Sequence, residues 1–141
     1  MTTILVPVDG SVSSQNAVKA ALDWTKGRSD ISLHVITIQP PILSGNVSRF
    51  VSAQTIHDYY QEEGQKALDA VKPLLEGSGV ECKQSVEIGP IAQTIVDYAN
   101  AHKADYIIMG TRGLSPVSGL LLGSVATKVL SLVNIPVTLV K

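Results

Sequence analysis

The chain has 141 residues, 45% hydrophobic and 16% charged, with a net charge of -1 from 11 basic and 12 acidic side chains. That length suits one domain able to hold a core without staples, and the charge balance leaves no electrostatic footprint for nucleic acid. Cys82 stands alone, which excludes an internal disulfide, and no apolar run approaches the roughly 18–20 residues of a membrane span.

The charged share lies below the roughly 25% of an average domain, which points to some surface being covered by a partner. The opening MTTILVPVDG has no basic n-region and meets Pro7 and Asp9 too soon for a secretory leader. The expectation is a soluble, cytoplasmic domain over residues 1–141, with neither membrane nor nucleic acid as partner.

Taken in order, Ile4–Val8 is a continuous apolar run of the kind found in strands buried on both faces. Asp9-Gly10-Ser11 breaks it, and residues 13–26 carry apolar positions at helical spacing, with Ser11 or Ser13 available as a cap. Ile31–Ile38 reads as a second strand. Residues 39–52 show no period and hold two prolines and a glycine, a long stretch of the sort that is functional or mobile. Residues 53–76 read as one long helix that Pro73 must kink or shorten, closed by Gly77-Ser78-Gly79.

Val80–Val86 is a third strand, polar enough to lie near an edge. Pro90–His102 reads as a helix with proline in its first turn, Asp105–Met109 as a fourth strand, 123–133 as a helix and Pro136–Val140 as a fifth strand. Strands alternating with helices imply a mostly parallel open sheet with helices on both faces, a three-layer α/β fold. Such sheets bind ligands beyond the carboxyl ends of their strands, where the strand order reverses. The first and fourth strands flank that point. The loop Asp9-Gly10-Ser11 therefore meets the glycine run MGTRGLSPVSGLLLGS of residues 109–124.

The run is neither of two familiar phosphate motifs. GxGxxG fails on spacing, and a P-loop fails because no lysine follows Gly123. What remains is Gly110-x2-Gly113-x9-Gly123-Ser124, which leaves a strand and opens a helix. Glycines allow close backbone approach, and the free amides and dipole of a helix N-terminus favour an anion. A phosphate chain fits that description, as does a simple turn with Ser124 as a cap. Asp9 is placed for a ribose hydroxyl or a metal ion, or else makes the turn. Arg112 can reach phosphate oxygens or stand in solvent. His34, His57 and His102 share no metal-ligand spacing; His34 reads as structural and the other two as surface groups. No Ser-His-Asp order or nucleophile elbow is present, and Cys82 reads as inert.

The complete spacing Gly110, Gly113, Gly123, Ser124, the entry ILVPVDGS at 4–11, DYIIMG at 105–110 and the close PVTLV at 136–140 together resemble the universal stress protein family over essentially the whole chain. One departure is that Gly89 and Pro90 are adjacent where the family often separates them. The resemblance implies a five-stranded sheet in order 3-2-1-4-5 and the ATP-binding branch of the family. Carried across by position, it implies that Pro7, Val8 and Asp9 line an adenosine pocket. Val35 would meet the adenine through its backbone, and Met109 and Gly110 would close the pocket. Gly113, Gly123, Ser124 and Val125 would hold the phosphates, with Mg²⁺ or Mn²⁺ among them. It also implies a homodimer through the last strand, Val137–Val140, whose apolar edge invites covering. The function expected is an ATP-binding stress-response regulator. The alternatives are a slow ATPase or phosphoryl-transfer enzyme, and a dimeric scaffold that does not use nucleotide.

Overall fold

The computed structural model describes residues 1–41, 52–113 and 122–141. Five strands form one parallel sheet in the order β3-β2-β1-β4-β5: β1 Thr2–Pro7, β2 Ile31–Gln39, β3 Cys82–Ile88, β4 Tyr106–Gly110 and β5 Val137–Val140. The helices are α1 Val12–Thr25, α2 Ala53–Asp69, α3 Lys72–Glu76, α4 Ile91–Ala101 and α5 Ser124–Leu132. The sheet order is the one expected. Residues 42–51 of the expected 39–52 loop, and Gly119 in the glycine run, lie outside the described residues.

The central strands β1, β2 and β4 are largely apolar on both faces because both faces are covered. Side chains alternate along a strand, so Ile4, Val6 and Val8 of the first strand and its exit join Leu33, Val35 and Ile108 under α1, α2 and α3. Leu5, Ile36, Ile38, Ile107 and Met109 point the other way, onto Ile95 and Val96 of α4 and Val129 of α5. Ile4, Leu5, Leu33, Ile36, Ile95 and Ile107 are completely buried, each burial stabilising the fold by about 1.5–3 kcal/mol relative to exposure.

Several element boundaries differ from the sequence reading. The long helix is two, because Pro73 lacks an N–H and its ring would strike the carbonyl of Asp69. The chain breaks at Ala70–Val71, and Pro73 sits in the first turn of α3. The third strand starts at Cys82 rather than Val80. Gly79 is left-handed (φ +70°) and the Val80 amide donates to Ser78 Oγ, so both residues belong to the turn. Pro90 is the N-cap of α4 rather than its first residue.

The crevice at the top of the sheet has a local cause. Val8 N–H donates to Ile36 O, so Val6 and Val8 turn their backbone groups toward β2. Pro7 must then face β4, on the side where it has no N–H to give. The β1–β4 ladder accordingly spans only Ile4↔Tyr106 and Leu5↔Ile107, while β1–β2 continues to Pro7↔Ile36. Past Leu5 the two central strands part.

Candidate nucleotide site

A cavity of about 380 Å³ opens where β1 and β4 separate. Pro7, Val8 and Asp9 enter it from the end of β1. Met109, Gly110, Thr111, Arg112 and Gly113 enter from the end of β4, and Gly123, Ser124, Val125 and Ala126 from the start of α5. Ile91 and Ile95 of α4 and Ile38 of β2 supply an apolar wall. One part of the cavity is therefore fit for a flat apolar ring, and another is rimmed by backbone amides.

The amide-rich part is built by the glycines. Gly123 N–H donates to Thr111 O, which closes the two halves of the run on each other. Gly123 is the N-cap of α5 and makes no side-chain cap, whereas Ser11 caps α1 and Ser52 caps α2 with their hydroxyls. The first-turn amides of α5 have no intrahelical acceptor, so this end of the helix presents donors of the kind that suit an anion. A β-carbon on Gly123 would stand 3.2 Å from Thr111 O and 3.5 Å from Arg112 Cα, so a larger residue there would require the loop to give by a few tenths of an ångström.

Asp9 is exposed and leads a turn in which Gly10 is left-handed, at φ +86°. Its Oδ1 accepts the Ser11 N–H at 2.9 Å, and its backbone amide donates to Ser14 Oγ at 3.4 Å. Its Oδ2 lies against Gly113, 2.9 Å from where a β-carbon would be. Among the described residues, Arg112 and Asp9 are the charged members of the lining, and no histidine or lysine belongs to it.

All the residues singled out from the sequence except Val35 line this cavity. Val35, expected to meet the adenine through its backbone, is not among the lining residues. It lies mid-strand, paired with Val6 on one side and Gln84 on the other. Its side chain is fully buried in the core under α1 and α2. The β2 residue at the cavity is Ile38, three positions on and of opposite parity, at the carboxyl end of the strand. Ile38, Ile91, Ile95, Ser14, Thr111 and Ala126 were not singled out. The isoleucine pair was legible as an i, i+4 apolar stripe on α4, but nothing in the stripe distinguishes core from cavity wall.

Two of the three histidines read as unrelated come together away from the cavity. His34 is buried, at 5% exposure, with Nδ1 2.8 Å from the Tyr98 hydroxyl. His102 stacks on Tyr98 at 3.8 Å and 16°, and its Nδ1 donates to Tyr98 O at 3.0 Å. Burial holds the His34 imidazole below its usual pKa, assisted by His102 and Lys83. His57 is exposed, as expected. Cys82 is a half-buried free thiol whose pKa burial raises, which makes it a poor nucleophile. Among the described residues no three His, Cys, Asp or Glu side chains group as metal ligands. No helix among them is long and apolar enough to cross a membrane.

The parallel order, the parting of the central strands and the glycine-built rim have counterparts in known proteins. The universal stress protein MJ0531 of Methanocaldococcus jannaschii is 37% identical over 144 residues, covering 98% of this chain and 81% of that protein. The solved structure of MJ0577, a universal stress protein of the same organism, superimposes with a TM-score of 0.86 at 26% identity, covering 99% of this chain and 95% of that one. A universal stress protein solved in complex with cAMP aligns with a TM-score of 0.73 at 27% identity, covering 99% and 97%. The sequence model of the universal stress protein family matches residues 1–141. With the signature glycines gathered at one cavity and that match running the length of the sequence, the chain belongs to the universal stress protein family.

Proposed function

We propose that this chain is an adenine-nucleotide-binding regulatory domain over residues 1–141, with ATP or a related nucleotide held at the parting of β1 and β4. The observation that carries the reading is the side-chain-free N-terminus of α5, turned into a cavity whose other wall is apolar. The apolar wall suits a base, and the amides of Ser124, Val125 and Ala126 suit phosphate. A relative that binds cAMP supports an adenine nucleotide as the guest.

In this reading Pro7, Val8, Met109 and Gly110 border the nucleoside, and Asp9 takes a ribose hydroxyl. Gly113, Gly123, Ser124 and Val125 hold the phosphates, with Arg112 as counter-charge. Mg²⁺ or Mn²⁺ fits as a phosphate-bound ion, because Asp9 is the one carboxylate in the lining among the described residues. Among the described residues Asp9 is also the one side chain there able to take a proton from water, and one of its oxygens is engaged by the Ser11 amide. The site holds a nucleotide better than it splits one.

A homodimer through β5 belongs to the same reading. Pro136 O and Val140 O accept bonds from the β4 side. Val137 and Leu139 must then turn their backbone groups outward, along an edge that a second copy can pair with. A cytoplasmic setting also belongs to it, consistent with a lone unpaired thiol.

Thermal unfolding with millimolar ATP and Mg²⁺, on wild type and Gly123→Val, tests the reading. Wild type should shift upward, and Gly123→Val, its β-carbon pressed on Thr111 O, should not shift. An unshifted wild type removes the nucleotide reading. Sustained phosphate release that disappears with Asp9→Ala would favour the ATPase instead.

A further inference from the structure

Three serines sit close together at the start of α1, and they do different work. Ser11 caps the helix, its Oγ accepting from the Ser14 amide. Ser14 Oγ donates back to Ser11 O and takes the Asp9 amide. Both act within a few residues. Ser13 does not. Its Oγ donates to Val140 O at 3.0 Å, 127 positions away, and accepts from the Arg112 amide at 3.4 Å, 99 positions away.

The same Val140 carbonyl takes the Thr111 amide at 2.8 Å, and Thr111 O takes the Gly123 amide. One hydroxyl thus stands between the end of β5 and both halves of the glycine run. Its seat exists because position 110 is glycine: Ser13 Oγ would meet a β-carbon there, and the Ser13 carbonyl carbon and Cβ would each lie 2.9 Å from it.

We infer that Ser13 is a positioning residue for the nucleotide site, fastening the carboxyl end of β5 to the Arg112 peptide so that the order of the last strand sets how the glycine run presents its amides. The inference rests on the nucleotide reading, and it links the outer edge of the sheet to the site. A change at β5, such as pairing with another strand, is transmitted to Val140 O, then through Ser13 Oγ to Arg112 N. The Thr111 amide on the same carbonyl moves with it, and through Thr111 O so does Gly123. Loss of the hydroxyl leaves α1 capped, because Ser11 and Ser14 carry the cap.

Ser13→Ala is compared with Asn16→Ala. Asn16 Nδ2 also ties α1 to the end of the chain, donating to Lys141 O at 2.9 Å, and among the described residues it makes no hydrogen bond to the glycine run. Two readouts are taken: ATP affinity by titration with Mg²⁺, and residue-resolved amide exchange without nucleotide. Ser13→Ala should weaken ATP binding about three- to tenfold, the worth of one hydrogen bond. It should also speed exchange at Thr111 and Arg112, with protection in β2 and α4 unchanged. Asn16→Ala should change neither readout. The inference is overturned if Ser13→Ala leaves both at wild-type values, or if Asn16→Ala reproduces its effects, which would make the tether generic. If wild type binds no ATP, the nucleotide reading fails by itself. Exchange then decides: Thr111 and Arg112 amides that loosen in Ser13→Ala uphold the link between strand and loop, and unchanged amides overturn it.

Discussion

Asp9 Oδ2 and Gly113 touch across the mouth of the cavity, with 2.9 Å between the carboxylate oxygen and the place a β-carbon would occupy. The loop after β1 and the loop after β4 thereby approach each other at this point. Because the atom in the way is the tip of an exposed side chain, Asp9 can swing aside. Gly113→Ala should cost stability no more than about 0.5 kcal/mol, the range of ordinary surface changes. It should still weaken nucleotide binding, because the carboxylate is displaced. Urea unfolding and ATP titration on the same sample check this; a large stability loss would mean that the loop cannot adjust.

Gly110 is less forgiving. A β-carbon there meets Ser13 backbone as well as its hydroxyl. Gly110→Ala should destabilise the fold by about 1–3 kcal/mol, the usual cost of overpacking. Adding Ser13→Ala should recover only part of that, since the carbonyl carbon of residue 13 remains 2.9 Å away. Full recovery in urea melts of the double variant would show that the hydroxyl is the whole obstacle.

Gly64 lies inside α2, where alanine is favoured by about 1 kcal/mol on helix propensity. The opposite result is expected here. A β-carbon would come within 2.5 and 2.6 Å of the two Val86 methyls on β3. Valine is stiff at χ1 and cannot turn both methyls away. Gly64→Ala should therefore be net destabilising by about 1 kcal/mol, overpacking outweighing propensity. Combined with Val86→Ala, the same change should become neutral or favourable, a coupling that a double-mutant cycle reads directly.

His34 predicts a pH dependence with a definite sign. Burial lowers its pKa, His102 and Lys83 lower it further, and Glu81 opposes them. The unfolded chain then binds the proton more tightly than the folded one. The stability contribution is intact above about pH 6.5 and is lost as pH falls toward the folded-state value, with a slope of at most about 1.4 kcal/mol per pH unit. Urea midpoints at pH 7.5 and 5.0 should separate more for wild type than for His34→Gln, which keeps a partner for the Tyr98 hydroxyl. Equal separations would assign the acid sensitivity to other groups.

By itself the sequence determined the alternation of strands and helices, the parallel sheet and the identity of the glycine run. Those are local properties: apolar runs of strand length, helical spacing and a spacing of glycines are all written in consecutive residues. The short β1–β4 ladder was also latent there, in one proline at the end of the first strand. Tertiary structure decided which face meets the cavity. Val35 and Ile38 are both apolar residues of one strand, and only the helices laid over each face make one core and the other cavity wall. It likewise decided that His34 and His102, 68 positions apart by their numbers, share Tyr98, that Gly64 exists for Val86, and that Ser13 reaches Val140 rather than its own helix. Such partners are chosen by the approach of elements distant along the chain, and no periodicity within a segment records what lies across from it.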